Sequence, residues 1–285
     1  MSFIYDYDAL MDRFKYASVD ELLNDETRDL IFRVFPEAAI MYQYDQKSHA
    51  HQYDLWEHSI RTVCSLDHNN RINDPCLVLA AFFHDIGKPG SRTADRKGRT
   101  DENGELNHFH YLEHAKESVK IVTRIISRIN DYVGYCPLIS EFYKNRLCNY
   151  VKHHDTHLHK KHDICNVKTF YTLWTYCFDY TTALRLIDLE HADAVNHIPT
   201  AHSKIQERID ITDRTLRYFD NNPYMKVRKE QLSALFNMFP KFYNDNNLKS
   251  SYFSMDVDDA FKELSKTEDW DIAKAIDLIK DKCYY

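Results

Sequence analysis

The feature that most constrains this chain is an apolar run that ends in two ionisable residues. Asp74-Pro75 leads into Cys76-Leu-Val-Leu-Ala-Ala-Phe-Phe83, which is followed at once by His84-Asp85-Ile86-Gly87. Asp74 suits a helix N-cap and Pro75 the first helical position, while Gly87 and Pro89 stop the helix. A helix that is apolar all round is a buried one. Other elements must therefore wrap it, and the His84-Asp85 pair is delivered to its end inside the fold. A carboxylate placed there is costly unless it is paired or bound to a cation.

The wrapping elements read as helices. Only 5 glycines and 7 prolines occur in 285 residues, too few for the many tight turns of a sandwich or barrel, so an all-α bundle is expected. Residues 111–129 repeat apolar side chains at helical spacing (Ala115, Val119, Val122, Ile126, Ile129). Residues 138–154 do the same with Ile139, Phe142, Arg146, Leu147, Tyr150 and His154, and a further helix is expected over 179–196 with Ala183, Leu186, Ile187, Leu189 and Ala192. No alternating strand pattern and no internal repeat stands out. Two loops are expected: 87–108, with four glycines and many charges, and 155–167, polar and rich in histidine. A loop as long as the first is uncommon and often functional. Past Pro199 the chain is polar and aromatic, with breaks at Asn221-Asn222-Pro223 and Asn244-Asp245-Asn246-Asn247. The expected organisation is one domain over 1–200, its core about 35–200, with short helices of 201–285 packed on it.

Charge and cysteine usage narrow the partners. A net charge of −7 argues against a broad nucleic-acid surface, which needs an excess of Lys and Arg, but leaves room for a basic rim around a small anionic ligand. Seven scattered cysteines contain no CxxC pair, so neither a zinc ribbon nor a disulfide framework is expected. Met1–Leu10 does not read as a signal peptide, and no apolar stretch reaches the roughly 20 residues that span a bilayer. The expectation is a cytoplasmic protein without a membrane partner.

The residues fit for chemistry are His58, His84, Asp85, His114, His153, His154 and Asp193. His154 follows Leu147 and Tyr150 on a helical stripe, and Asp193 follows Leu186 and Leu189. Imidazole and carboxylate are ligands for divalent ions, and a helix bundle can project them inward from facing helices. Adjacent His84 and Asp85 diverge by about 100° around a helix, so one can serve a first ion while its neighbour bridges to a second. An ion pair about 3.5–4 Å apart would bind phosphate and bring a bridging water's pKa near neutrality. The remaining histidines, including His49, His157, His159, His162, His191, His197 and His202, read as surface or structural groups. The 87–108 segment carries Lys88, Arg92, Arg96, Lys97 and Arg99. It reads either as a basic lid over an anionic substrate or, since Asp95, Asp101, Glu102 and Glu105 offset it, as a solvated charged loop.

In Leu79-Ala-Ala-Phe-Phe-His-Asp-Ile-Gly-Lys-Pro89 the sequence resembles the central motif of the HD superfamily of metal-dependent phosphohydrolases. The likeness is closest to the HD domain attached to bacterial CCA-adding tRNA nucleotidyltransferases. It is carried also by Tyr53-Asp-Leu-Trp-Glu-His58, by Phe109-His-Tyr-Leu-Glu-His-Ala-Lys-Glu-Ser118 and by Leu189-Glu-His-Ala-Asp193, and covers about residues 35–200. The resemblance implies a first ion on His58, His84, Asp85 and Asp193, with Asp188 as the rival of Asp193. It implies a second on His114, His153 and His154, with Lys88 near the phosphate and Mn, Fe, Co, Ni or Zn as the metal. There are departures. No nucleotidyltransferase domain precedes the segment, so CCA addition is not expected. Asp155-Thr156-His157 stands where the HD-GYP group has Gly-Tyr-Pro, and Glu113 stands where a glycine usually precedes the third histidine. The expected activity is hydrolysis of a nucleotide-type phosphomonoester or phosphodiester, 2′,3′-cyclic phosphates included, by metal-activated hydroxide oriented by Asp85. The substrate would be a small phosphorylated molecule or an RNA end, with Arg92, Arg96, Arg99 and Lys88 binding it. The alternatives are an inactive HD domain that binds a nucleotide or partner, and a di-iron oxygenase on the same scaffold.

Overall fold

The computed structural model describes residues 2–48, 51–94, 98–100, 104, 108–133, 138–154 and 180–198. Apart from 180–184, these all belong to one compact unit of the chain. The expected 155–167 loop, Arg96 and the 201–285 extension lie outside the described residues.

The described chain is helical. Helices α1 (Ser2–Tyr16), α2 (Val19–Leu23) and α3 (Asp25–Val34) are followed by a 3-10 helix, Pro36–Met41. Then come α4 (Leu55–Ser65), α5 (His68–Asn73), α6 (Pro75–Phe83) and the short α7 (Lys88–Ser91). Strands β1 (Thr93–Ala94) and β2 (Phe109–His110) pair antiparallel before α8 (His114–Val133), α9 (Glu141–His153) and α10 (Tyr180–Ala194). The 87–108 segment thus opens with a turn of helix and closes in a two-residue ladder. Two residues are too few to leave an alternating signature in sequence.

Helix α6 is the axis of the fold. The Asp74 side chain caps it, accepting from the Leu77 amide at 3.1 Å, and every residue from Cys76 to Phe83 is buried. It packs against α1, α4, α5 and α9. Phe82 meets Phe14 of α1 and Trp56 of α4, with ring centroids 5.0 and 5.7 Å apart, and Phe83 meets Phe35 edge-on at 5.1 Å. The other Asp74 oxygen takes the Arg146 guanidinium at 2.7 Å and the Tyr150 hydroxyl at 3.2 Å, which ties the start of α6 to α9. Leu147, Tyr150, Leu186, Ile187, Leu189 and Ala192 are in the core as their spacing predicts. Phe142 is not: it is 68% exposed, with its ring edge-on to Tyr143. It sits in the first turn of α9.

Two backbone details set the end of α6 against α8. A Cβ on Gly87 would lie 2.4 Å from both the His114 carbonyl oxygen and the Ser118 amide nitrogen, so only glycine lets the first turn of α8 come this close. The Gly87 amide donates to Ser118 Oγ at 2.8 Å across that contact. Glu113, just before α8, adopts φ +64°. This is the left-handed region that glycine enters without cost, which accounts for the glycine usual at this position; here a glutamate bears the strain.

Cys64, Cys76 and Cys148 are free thiols, and no described helix is long and apolar enough to cross a membrane.

Candidate metal centre

Helix ends converge on one buried spot beside a pocket. His58 comes from the first turn of α4, His84 and Asp85 from the end of α6, and Lys88 from α7. His114 opens α8, His154 closes α9, and Asp193 sits in the last turn of α10. His58 and His84 are wholly buried, and Asp85, Lys88 and His154 are nearly so.

Asp85 stands between two sets of ligand atoms. Its Oδ2 lies 3.2 Å from His84 Nε2 and 3.7 Å from His58 Nε2. Those two nitrogens are 3.3 Å apart, and Asp193 Oδ1 is 2.9 Å from His58 Nε2 and 3.6 Å from His84 Nε2. Its Oδ1 faces the other way, 3.0 Å from His114 Nε2 and 3.5 Å from His154 Nε2, themselves 3.1 Å apart. Divalent ions bind such donors at about 2.1 Å, which places neighbouring ligand atoms about 3.0 Å apart in an octahedron and about 3.4 Å in a tetrahedron. Both sets match these spacings.

Second contacts fix the imidazoles for ligation. Nδ1 of His84, His114 and His154 lies 2.8–2.9 Å from the carbonyl oxygen three residues earlier, of Ala81, Tyr111 and Val151. A carbonyl only accepts, so Nδ1 carries the proton of the neutral ring and Nε2 presents a lone pair inward. Around Asp85 Oδ1, two imine nitrogens and a carboxylate oxygen then face one another with no proton among them. Asp85 Oδ1 and Asp193 Oδ1 are buried and receive no well-directed hydrogen bond. A cation seated in such a group relieves its repulsion, so the residues present fit a divalent metal.

In the protein groups by themselves, a proton on His84 takes the place a cation would hold. Burial disfavours the charged form of Asp85, yet the Lys88 ammonium and the His84 ring outweigh it and hold the carboxyl well below its usual range. Burial likewise opposes charge on His84, and the Asp85 and Asp193 carboxylates overcome it, raising that ring to about 10. Burial lowers His58 to about 4, against the pull of Asp193.

Of the expected residues, His58, His84, Asp85, His114, His154 and Asp193 are brought together. His153 is buried on α9 but, one position from His154, points about 100° away and is in neither set. Asp188 lies elsewhere, accepting from the Asp67 amide at 3.0 Å and from Asn70 Nδ2 at 2.8 Å. Lys88 is tied down: its ammonium is 2.6 Å from Asp85 Oδ2, donates to Gln46 Oε1 at 2.7 Å and lies 3.1 Å from His51 Nε2. Arg92 is exposed and stacks 3.6 Å over the Phe109 ring, and Arg99 is exposed.

Two histidines join that the sequence reading missed or set aside. His197, read above as surface or structural, has its Nε2 3.4 Å from Asp193 Oδ1 and its ring stacked on His58. His51 forms a backbone bridge with His197, their rings 4.4 Å apart. The spacing of His197 four residues after Asp193 was the available signal. The pocket beside these groups, about 410 Å³, is lined by Asp85, His114, His154, Asp193 and His197, with Phe109, Tyr111 and Leu112 on its apolar wall. His58 and His84 lie behind it.

A helical fold whose element ends deliver imidazoles and carboxylates to one buried cluster is the framework of a metal-centre protein. The HD domain family model matches residues 55–214, more than half of the chain, and the protein belongs to that family. No curated protein and no solved structure matches it at a significant level.

Proposed function

We propose that this protein hydrolyses phosphate esters at a pair of divalent transition ions, held by His58, His84 and Asp193 on one side of Asp85 and by His114 and His154 on the other. The observation that carries this reading is the Asp85 carboxylate, whose two oxygens face separate sets of imidazole and carboxylate ligand atoms beside a pocket. When bound, such ions neutralise phosphate charge and bring a bound water's pKa near neutrality. The protein supplies the rest. Asp85 orients the attacking oxygen between the sets, and Lys88 holds Asp85 in place while adding positive charge at the pocket wall.

The nucleotide-type substrate is supported by the pocket's size and its Phe109–Tyr111–Leu112 wall, which suits a flat ring next to a phosphate. The likeness to CCA-linked HD domains favours phosphomonoesters and phosphodiesters, 2′,3′-cyclic phosphates included, and RNA ends. Arg92, whose guanidinium lies over the ring of the pocket residue Phe109, would meet a phosphate oxygen from there.

The test is turnover by the full chain loaded in turn with Mn, Fe, Co, Ni and Zn, against a panel of nucleotides, cyclic nucleotides and RNA ends. Phosphate-ester cleavage lost in both His84→Ala and Asp85→Ala is expected. A folded, metal-loaded protein that cleaves none of the panel, or that consumes oxygen with iron(II) in place of cleavage, overturns the reading.

A further inference from the structure

The geometry points to His197 as a fifth protein ligand of the ion on the His58–His84 side, an inference that rests on the metal centre proposed above. Its Nδ1 is buried without a hydrogen-bond partner, and its Nε2, also buried, meets only Asp193 Oδ1 among the described residues, outside good hydrogen-bond geometry. Left that way, a polar ring in the interior costs about 1–3 kcal/mol per unsatisfied group. Nε2 of His197 lies 3.4 Å from Asp193 Oδ1, within the 2.9–3.7 Å range of the other donor spacings on that side, and the same oxygen lies 2.9 Å from His58 Nε2. The backbone holds the ring there from both sides. The His197 amide donates to the Ala194 carbonyl at 3.1 Å, Gln52 Nε2 donates to the His197 carbonyl at 3.3 Å, and His51 bridges to it. The neighbouring positive charge belongs to Lys88, which Asp85 balances at 2.6 Å.

With His197, the donors on this side are three imidazoles and two carboxylates: His58, His84, His197, Asp85 and Asp193. Among the described residues, the other side offers His114, His154 and Asp85. The two positions then differ in kind. The five-donor position reaches the pocket through Asp85, Asp193 and His197, with His58 and His84 behind them, and its three imidazoles favour nitrogen-loving late transition ions over manganese or magnesium. The three-donor position faces the pocket and keeps sites open for substrate oxygens.

The test is binding of cobalt(II) to the full chain, followed by calorimetry and by X-ray absorption at one equivalent. Wild type is expected to show one tight and one weak site. His197→Ala is expected to weaken the tight site at least tenfold and to lower the nitrogen count of the first cobalt by one, while His114→Ala removes only the weak site. His197→Gln, which keeps the volume, gives the same reading should the alanine variant fail to fold. Wild-type binding with an unchanged tight site and spectrum in both His197 variants overturns the assignment of His197 alone. A wild type that binds no cobalt overturns the metal centre and His197 together.

Discussion

At the scale of single residues, Glu113 and His84 carry the sharpest consequences. Glu113 holds a left-handed backbone at φ +64° to start α8 at His114. A side chain there costs about 1–2 kcal/mol, of which glycine's extra freedom in the unfolded chain returns part. Its ion pair with Lys116 is exposed and worth little. Glu113→Gly is therefore expected to stabilise the protein by up to about 1 kcal/mol in urea unfolding, with metal binding intact. His84 is raised to about 10 in the protein without ions, because the proton stands among Asp85 and Asp193 where the cation would. The stability this proton contributes is full below the ordinary histidine pKa of about 6.5 and is lost as pH rises through about 10. Metal must displace it, so at pH 7 binding is expected to release about one proton, measured by calorimetry in buffers of different ionisation enthalpy, and to tighten as pH rises. Binding that is independent of buffer would refute this.

At the scale of elements, the decisive contact is between the end of α6 and the start of α8. Gly87→Ala would drive a methyl group into backbone atoms of His114 and Ser118 at 2.4 Å, and backbone cannot swing aside as a side chain does. The helix must shift as a body, at about 1–3 kcal/mol by analogy with overpacked cores. Because His114 rides on that helix while His58, His84 and Asp193 do not, the variant is expected to lose the weaker of two ions and retain the tighter. Equal loss of both, read by calorimetry, would show that α8 does not act alone.

At the scale of the whole molecule, the centre is a junction of α4, α6, α8, α9 and α10, each of which contributes through one end. Ions that bind only the folded arrangement stabilise it by mass action, about 2.7 kcal/mol at a hundredfold excess over Kd. Chelator treatment is accordingly expected to lower the unfolding temperature, and adding zinc or cobalt back to restore it. Thermal unfolding monitored by circular dichroism, with and without chelator, checks this. An unchanged midpoint in protein known to have carried metal would place the ions outside the fold's stability.

The sequence by itself determined the parts governed by helical pitch and local chemistry. The cap at Asp74, the burial of Cys76–Phe83 and the delivery of His84 and Asp85 to an interior helix end follow from residue order alone. So does the inward face carrying Leu186, Leu189 and Asp193. Tertiary structure decided what pitch does not reach. His153 and His154 are neighbours with equal chemistry, and only the packing of α9 against α6 and α8 chooses His154. Asp188 and Asp193 sit about 140° apart on one helix, and the placement of Asp67 and Asn70 takes the first away. His51 and His197 lie outside regular elements, where no periodicity announces a facing. A backbone bridge between residues far apart in the chain brings them to the cluster, so the order of residues could name the helix ends that converge but not the two loop histidines beside them.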